Sequence, residues 1–286
     1  MKHEFDIAIL LPTRGRAELL DRSLRSLITL AKDQDRIQLM LGFDNDDNIG
    51  LEHFKKSVRP WLDDNDVNYT AMKFEPMGYI RLNEYANLLA KNSDAKWLIF
   101  WNDDAVIESQ DWDEEIMKWD GQFKCLAFDT HHHHPYSIFP IIPREWLDVL
   151  GYLSPHQISD GWISQMSYIL DIMQRTDIKV FHDRHDLTGN NKDDTFLNRP
   201  MLENNPMDPR DFHHINNNQR RQDDCVKIAE YLEKERGQDM TFFKNVLDGI
   251  QDPWEKLKAN DPHKQMVQYS IKYAITGDTT TFDTVK

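Results

Sequence analysis

The sequence predicts an α/β protein built on a mostly parallel, Rossmann-like sheet with helices on both faces. Three observations carry this. Short apolar runs, too short for buried helices, recur through the first hundred residues. Stretches with leucines at helical spacing separate them. Three of the apolar runs end in polar clusters, as strands do when their carboxyl ends open onto a ligand site.

The elements follow in order. Asp6-Ile7-Ala8-Ile9-Leu10-Leu11 is a buried strand closed by Pro12, and Thr13-Arg14-Gly15-Arg16 is a polar turn. Leu19, Leu20, Leu24, Leu27, Ile28 and Leu30 share one helical face. A second strand, Ile37 to Phe43, runs into the acidic loop Asp44-Asn45-Asp46-Asp47-Asn48. A helix near Leu51 to Leu62, a strand near Tyr69 to Phe74 and a helix from Leu82 to Lys91 lead to the strand Trp97 to Trp101. That strand ends in Asn102-Asp103-Asp104. Residues Leu126 to Ile142 are irregular and strand-rich. Trp146 to Leu150 and Trp162 to Met173 are expected as helices, and Val180-Phe181 as a strand end before a polar loop reaching Asp194. After Pro200 the composition shifts to Asn, Asp, Pro and His, with a surface helix at Gln219 to Arg236. The expected organisation is therefore a catalytic domain at 1–199 and a mainly helical or irregular extension at 200–286, without which the first part is expected still to bind nucleotide.

Composition narrows the class. A formal net charge of −15 over 286 residues argues against nucleic acid, whose affinity comes from Lys and Arg on phosphates. No apolar run approaches the length of a membrane span, and the N-terminal residues lack the apolar core of a leader, so a cytoplasmic protein is expected. The two cysteines, Cys125 and Cys225, form neither a CxxC pair nor a disulfide framework.

Asn102-Asp103-Asp104 is the most informative cluster. Carboxylates directly after a buried strand are costly unless solvated, paired or bound to a cation. Oxygen ligands of this kind suit Mg²⁺ or Mn²⁺ shared with substrate phosphates; the alternative is an acidic turn capping a helix. The run His131 to His134 offers at most two side chains to one face of a strand. Trp112, Trp146 and Trp162 are candidates for sugar stacking or for the core.

Taken in order, Ile9 to Arg16, Phe43 to Asp47, Asn83 with Ala86 and Asn87, and Leu98 to Val106 resemble the donor-binding half of family 2 glycosyltransferases, over roughly residues 5 to 200. The resemblance implies the GT-A fold and transfer of a sugar from a UDP- or GDP-sugar to a glycan or other hydroxyl acceptor. It implies that Pro12, Thr13, Arg14 and Arg16 line the nucleotide, with Arg81 and Asn83 near it, and that Asp44 or Asp46 bonds the base. Asn102-Asp103-Asp104 matches the DxD-type motif, with Asp104 holding Mn²⁺ or Mg²⁺ on the diphosphate. Asn102 stands where many members have Asp. Gly151-Tyr152-Leu153 and Ser159-Asp160-Gly161-Trp162, with Arg144 upstream, resemble the acceptor side, where Asp160 is the general base of an inverting reaction or the cap of a helix. A further metal ligand is expected from His185 first and His182 second, and Arg184 is expected to face the leaving diphosphate. Two other readings stay open. One is a sugar-phosphate nucleotidyltransferase, for which Pro12 to Arg16 is a poor first loop. The other is a binding protein that kept the fold without catalysis.

Overall fold

The computed structural model describes residues 3–130, 136–190, Leu197 and 208–251. Its centre is an eight-stranded sheet. The strands are β1 (Phe5–Thr13), β2 (Ile37–Asp44), β3 (Tyr69–Phe74), β4 (Ala95–Phe100), β5 (Ala105–Ile107), β6 (Cys125–Thr130), β7 (Ile141–Pro143) and β8 (Met173–His182). They lie in the order β3-β2-β1-β4-β7-β6-β8-β5. The pairs β1·β2, β1·β4, β2·β3 and β6·β8 are parallel, while β4·β7, β6·β7 and β5·β8 are antiparallel.

Alternation along β1 divides the core in two. Ile7, Ile9 and Leu11 join one buried cluster with Leu39, Leu41, Trp97 and Ile99; Ala8 and Leu10 join the other with Met40, Leu98 and Phe100. A strand apolar on both faces needs helices on both, and they are present. Helix α1 (Ala17–Thr29) covers the first face. So does a continuous rod of α2 (Asn48–His53), a π-helical segment Phe54–Val58 and α3 (Arg59–Asp64), where the sequence predicts a single helix. Helix α5 (Trp112–Met117) completes that layer. On the opposite face pack α4 (Leu82–Lys91), α6 (Arg144–Leu150) and α7 (Ser159–Ile169). A short α8 (His185–Thr188) follows β8.

Several boundaries differ from the sequence expectation. The helix expected at Trp162 to Met173 ends at Ile169, and Met173 opens β8. Asp171, at φ 56°, turns the chain there, and Thr176, Ile178 and Val180 then alternate inward with the period of a strand. Strand β5 and helix α5 are additions to the predicted elements. Trp112, Trp146 and Trp162 are fully buried, so all three serve the core. Arg144, expected on the acceptor side, lies instead at the amino end of β4, bonded to Ala90, Ser93 and Ala95. The run His131 to His134 lies outside the described residues.

The described part of the extension forms α9 (Ile215–Arg236) and α10 (Thr241–Leu247). Helix α9 starts a turn earlier than expected, capped by the His214 side chain. Phe212, Cys225, Ile228, Leu232, Phe243 and Val246 enter the same core cluster as α6 and α7. The compositional boundary at Pro200 is thus crossed by the core: 208–251 is packed against the sheet domain through apolar surface worth roughly 1.5–3 kcal/mol per fully buried large side chain. Among the described residues no helix is long and apolar enough to cross a membrane.

Candidate active site

The parallel strands β1, β2 and β4 end side by side, so their following loops share one edge of the sheet. Side chains then stitch the three loops together. Thr13 Oγ1 donates to Asp103 Oδ2 at 2.7 Å. Arg16 Nη1 donates to Asp103 Oδ1 at 3.0 Å and to Asp104 Oδ2 at 3.1 Å. Arg14 turns the other way, to Asp44 Oδ2 at 2.8 Å and, through both terminal nitrogens, to Asp46. Three clusters separated by some thirty to ninety residues in sequence are one constellation in space.

Its electrostatics follow from burial. Asp44, Asp103 and Asp104 are buried. Burial pushes the Asp103 carboxyl up to about 6, with the Asp104 charge adding and Arg16 and Thr13 opposing. Burial also acts to raise Asp104, but His182 and Arg16 outweigh it and hold this carboxyl below its ordinary range. Asp44 is buttressed by Tyr85, whose hydroxyl donates to it and accepts from the Met77 N–H at 2.7 Å. Burial, then that bond, pushes the Tyr85 phenol up to about 12.

The second half of the site comes from β8. Its antiparallel pairing with β5 sets Ala105 opposite His182, and the Asp183 N–H donates to the Asp104 carbonyl at 2.8 Å. His182 is thereby brought against Asp104, with Nε2 and Oδ1 3.2 Å apart. Both atoms are buried and neither has a well-formed hydrogen bond. The Phe139 ring packs on the imidazole, at 4.9 Å between centroids. Asp183 itself is fully engaged: it accepts from Arg22 at 2.7 Å, Thr188 at 2.9 Å and Asn190 at 3.0 Å, which anchors the loop after β8.

This pair fits a divalent cation. One carboxylate oxygen and one imidazole nitrogen are suitable donors for Mn²⁺. Their separation matches the ~3 Å between neighbouring ligands of an octahedral ion with bonds near 2.1 Å. Among the described residues no third His, Cys, Asp or Glu joins them, which leaves the remaining positions to phosphate oxygens and water, as small hard cations commonly arrange.

The remaining predicted residues are placed as follows. Pro12 pairs with Gly42 across β1 and β2, one residue before the cluster. The Asn102 carbonyl closes the turn with the Ala105 N–H. Arg81 is exposed and bonded to Glu84. Asn83 donates to the Ser154 carbonyl at 3.3 Å and, with Asn87, holds the 151–154 turn. His185, the sequence's first choice of metal ligand, bonds the Asn190 carbonyl through Nδ1, and His182 takes the place beside Asp104. Arg184 is forked on Asp186. Asp160 is half-buried in the first turn of α7, one residue inside the helix, whose cap position is Ile158. A carboxylate there is favoured by the helix dipole.

Sequence reasoning passed over Tyr85 and gave Asp47, quoted within the acidic loop, no role of its own. Tyr85 carries no local signal, since an apolar ring at helical spacing in α4 reads as core. Asp47 does carry one: Asp is a favoured residue at the start of a helix, and its side chain accepts from the Gly50 N–H.

No family model matches the sequence, and no curated protein matches it. Solved structures do. The mannosyltransferase PcManGT from Pyrobaculum calidifontis, in complex with GDP-Man and Mn²⁺, is similar over 96% of this chain and 74% of its own, with a TM-score of 0.52 and 13% identity. S. aureus TarS 1-349, in complex with UDP-GlcNAc, is similar over 95% of this chain and 82% of its own, with a TM-score of 0.59 and 10% identity. At such identities the likeness speaks to the fold. This chain has the GT-A fold of those glycosyltransferases.

Proposed function

We propose that the chain is a metal-dependent glycosyltransferase that moves a sugar from a UDP- or GDP-sugar to an acceptor hydroxyl, on a glycan or another molecule. The observation that carries this is the buried Asp104–His182 pair, 3.2 Å apart with both facing atoms unsatisfied, at the carboxyl edge of a GT-A sheet. Two proteins of the same fold bind GDP-Man with Mn²⁺ and UDP-GlcNAc, which supports a nucleotide-sugar donor here.

In this reading Asp104 and His182 hold Mn²⁺ or Mg²⁺. When bound, that ion supplies positive charge to the diphosphate leaving group. Arg16 and Thr13 fix the Asp103 and Asp104 carboxylates, leaving Asp104 Oδ1 for the ion. Arg14, with Asp44 and Asp46, forms the wall on which the base rests. Asp160 takes the proton from the acceptor hydroxyl as the new C1–O bond forms and the C1–O bond to phosphate breaks, which inverts the anomeric centre.

The test is a panel of UDP- and GDP-sugars followed by melting temperature and by release of nucleoside diphosphate, with and without Mn²⁺. The reading expects one donor to raise the melting temperature and to be slowly hydrolysed only with the ion present. Binding without hydrolysis or transfer to any offered acceptor would make the chain a binding protein; no binding from the panel would sink the donor assignment.

A further inference from the structure

The acidic loop after β2 holds one carboxylate that neither the metal nor the base reading uses. Asp47 is buried, and its two oxygens do different things. Oδ1 accepts from the Gly50 N–H at 3.0 Å and so caps α2. Oδ2 accepts at 2.8 Å from the N–H of Gly15, in the loop after β1. The approach at α2 is close enough to exclude a side chain: a Cβ on Gly50 would lie 2.2 Å from Oδ2.

Gly15 is the point where the first loop divides. It has φ +67°, a conformation that favours glycine, and its neighbours leave in different directions. Arg14 goes to Asp44 and Asp46; Arg16 goes to Asp103 and Asp104. A peptide free to rotate at this point would swing both guanidinium groups. One hydrogen bond from the Gly15 N–H to a buried carboxylate fixes its plane.

We propose that Asp47 is a positioning residue that pins the Gly15 peptide and so sets the divergence of Arg14 and Arg16. Its consequence for nucleotide affinity rests on the donor reading above; the pinning does not. A carboxylate is required because both oxygens accept from N–H groups. An amide offers one oxygen and turns its NH₂ toward the other donor. Asn caps helices about as well as Asp, so Asp47→Asn keeps the cap and breaks the link to Gly15. Asp47→Ser likewise keeps a capping oxygen and has none left for Gly15.

The experiment compares the full chain with Asp47→Asn and Asp47→Ser by three measurements: melting temperature, hydrogen exchange of the Gly15 amide without ligand, and calorimetric affinity for UDP and for GDP in Mn²⁺. We expect melting temperatures near the parent's and Gly15 exchange faster by about 10-fold. Affinity for whichever nucleotide the parent binds should fall about 10-fold, the cost of re-ordering on binding an arginine side chain that the loop no longer holds in place. Gly15 exchange equal to the parent's in both variants would show that Asp47 is a helix cap and nothing more. A parent that binds neither nucleotide would overturn the donor reading, while the exchange measurement still decides the pin.

Discussion

Two arginines, Arg144 buried and Arg16 partly buried, stand at opposite ends of the strands of the same sheet. At the amino end of β4, Arg144 donates from Nε to the Ala95 carbonyl at 3.1 Å and from Nη1 to the Ala90 carbonyl at 3.0 Å. Its Nη2 donates to the carbonyl and hydroxyl of Ser93, each at 2.7 Å. At the carboxyl end, Arg16 faces the carboxylates of Asp103 and Asp104. The first arginine is a staple: every contact it makes closes the end of α4 onto β4. The second belongs to a cluster with capacity left over, since Asp104 Oδ1 and His182 Nε2 face each other without a proper hydrogen bond. Buried polar groups are ordinarily satisfied, and an oxygen and a nitrogen left facing each other call for an explanation, which the ion of the proposed reading supplies. Burial of charge therefore does not distinguish the two ends of the sheet; what differs is that at the carboxyl end an unsatisfied oxygen and an unsatisfied nitrogen face each other.

The comparison breaks most visibly at Asp104. Asp104→Ala should take Mn²⁺-dependent donor binding below detection, with a melting temperature close to the parent's. Retained Mn²⁺ and donor affinity in calorimetry would mean that the carboxyl edge is as structural as the amino edge. Asp160→Asn should lower kcat for transfer by about 10²–10⁴-fold, leaving donor affinity and melting temperature alone. Near-normal kcat would move the base to another carboxylate, Asp186 or Asp193. Arg144→Met should do the reverse. It strands carbonyls at the end of α4 and costs about 3 kcal/mol of stability, or roughly 10 °C in melting temperature. Donor affinity measured well below that temperature should not change; a selective loss of affinity would place Arg144 in the site after all.

A smaller effect should come from a third buried polar cluster, where the extension docks on α7. His156 and His213 lie beside Trp162, Phe212 and Arg221. Burial, then the Arg221 charge, pulls His213 down to about 4, and burial lowers His156. Their folded pKa values lie below the unfolded value of 6.5, so below that pH the unfolded chain binds protons that the folded chain refuses. Stability should be level above pH 6.5 and fall as pH drops toward 4, by at most about 1.4 kcal/mol per unit for each imidazole. Melting curves from pH 7 to pH 5 check this, and His213→Gln should flatten the slope. A slope unchanged by that substitution would assign the acid sensitivity to carboxylates elsewhere.

The docking cluster also reaches the start of α7, where Asp160 lies. Gly161, the residue after Asp160, has no room for a Cβ: it would stand 2.9 Å from Ile158 and 3.1 Å from Phe212. The extension therefore presses on the very turn that carries the proposed base. A chain ending near Arg199 would expose Trp162, Met166 and their neighbours, and we expect it to aggregate rather than bind nucleotide. Soluble, nucleotide-binding protein from such a truncation would instead bear out an independent first domain at 1–199, as the sequence reading expects.

Much of the carboxyl edge of the sheet was readable in the chain because its signals are local. Run length and composition mark Asp6 to Leu11, Ile37 to Phe43 and Trp97 to Trp101 as buried strands, and the residues that follow each run must then meet at one sheet edge. Period-two alternation in β8 was equally present but was overridden by the apolar residues of α7 just before it.

By itself, then, the sequence determined the α/β class, the strand ends and the carboxylates gathered there, since each depends on residues close together in the chain. Only the tertiary structure decided which histidine meets Asp104. His182 and His185 are three residues apart and chemically alike, and the choice is made by the register of β8 against β5, where a shift of one residue would turn His182 to the other face. The same holds for Asp47 and Gly15, and for the apolar face of α9. Each is settled by a partner tens of residues away, and a contact between distant residues has no period or composition by which a single chain announces it.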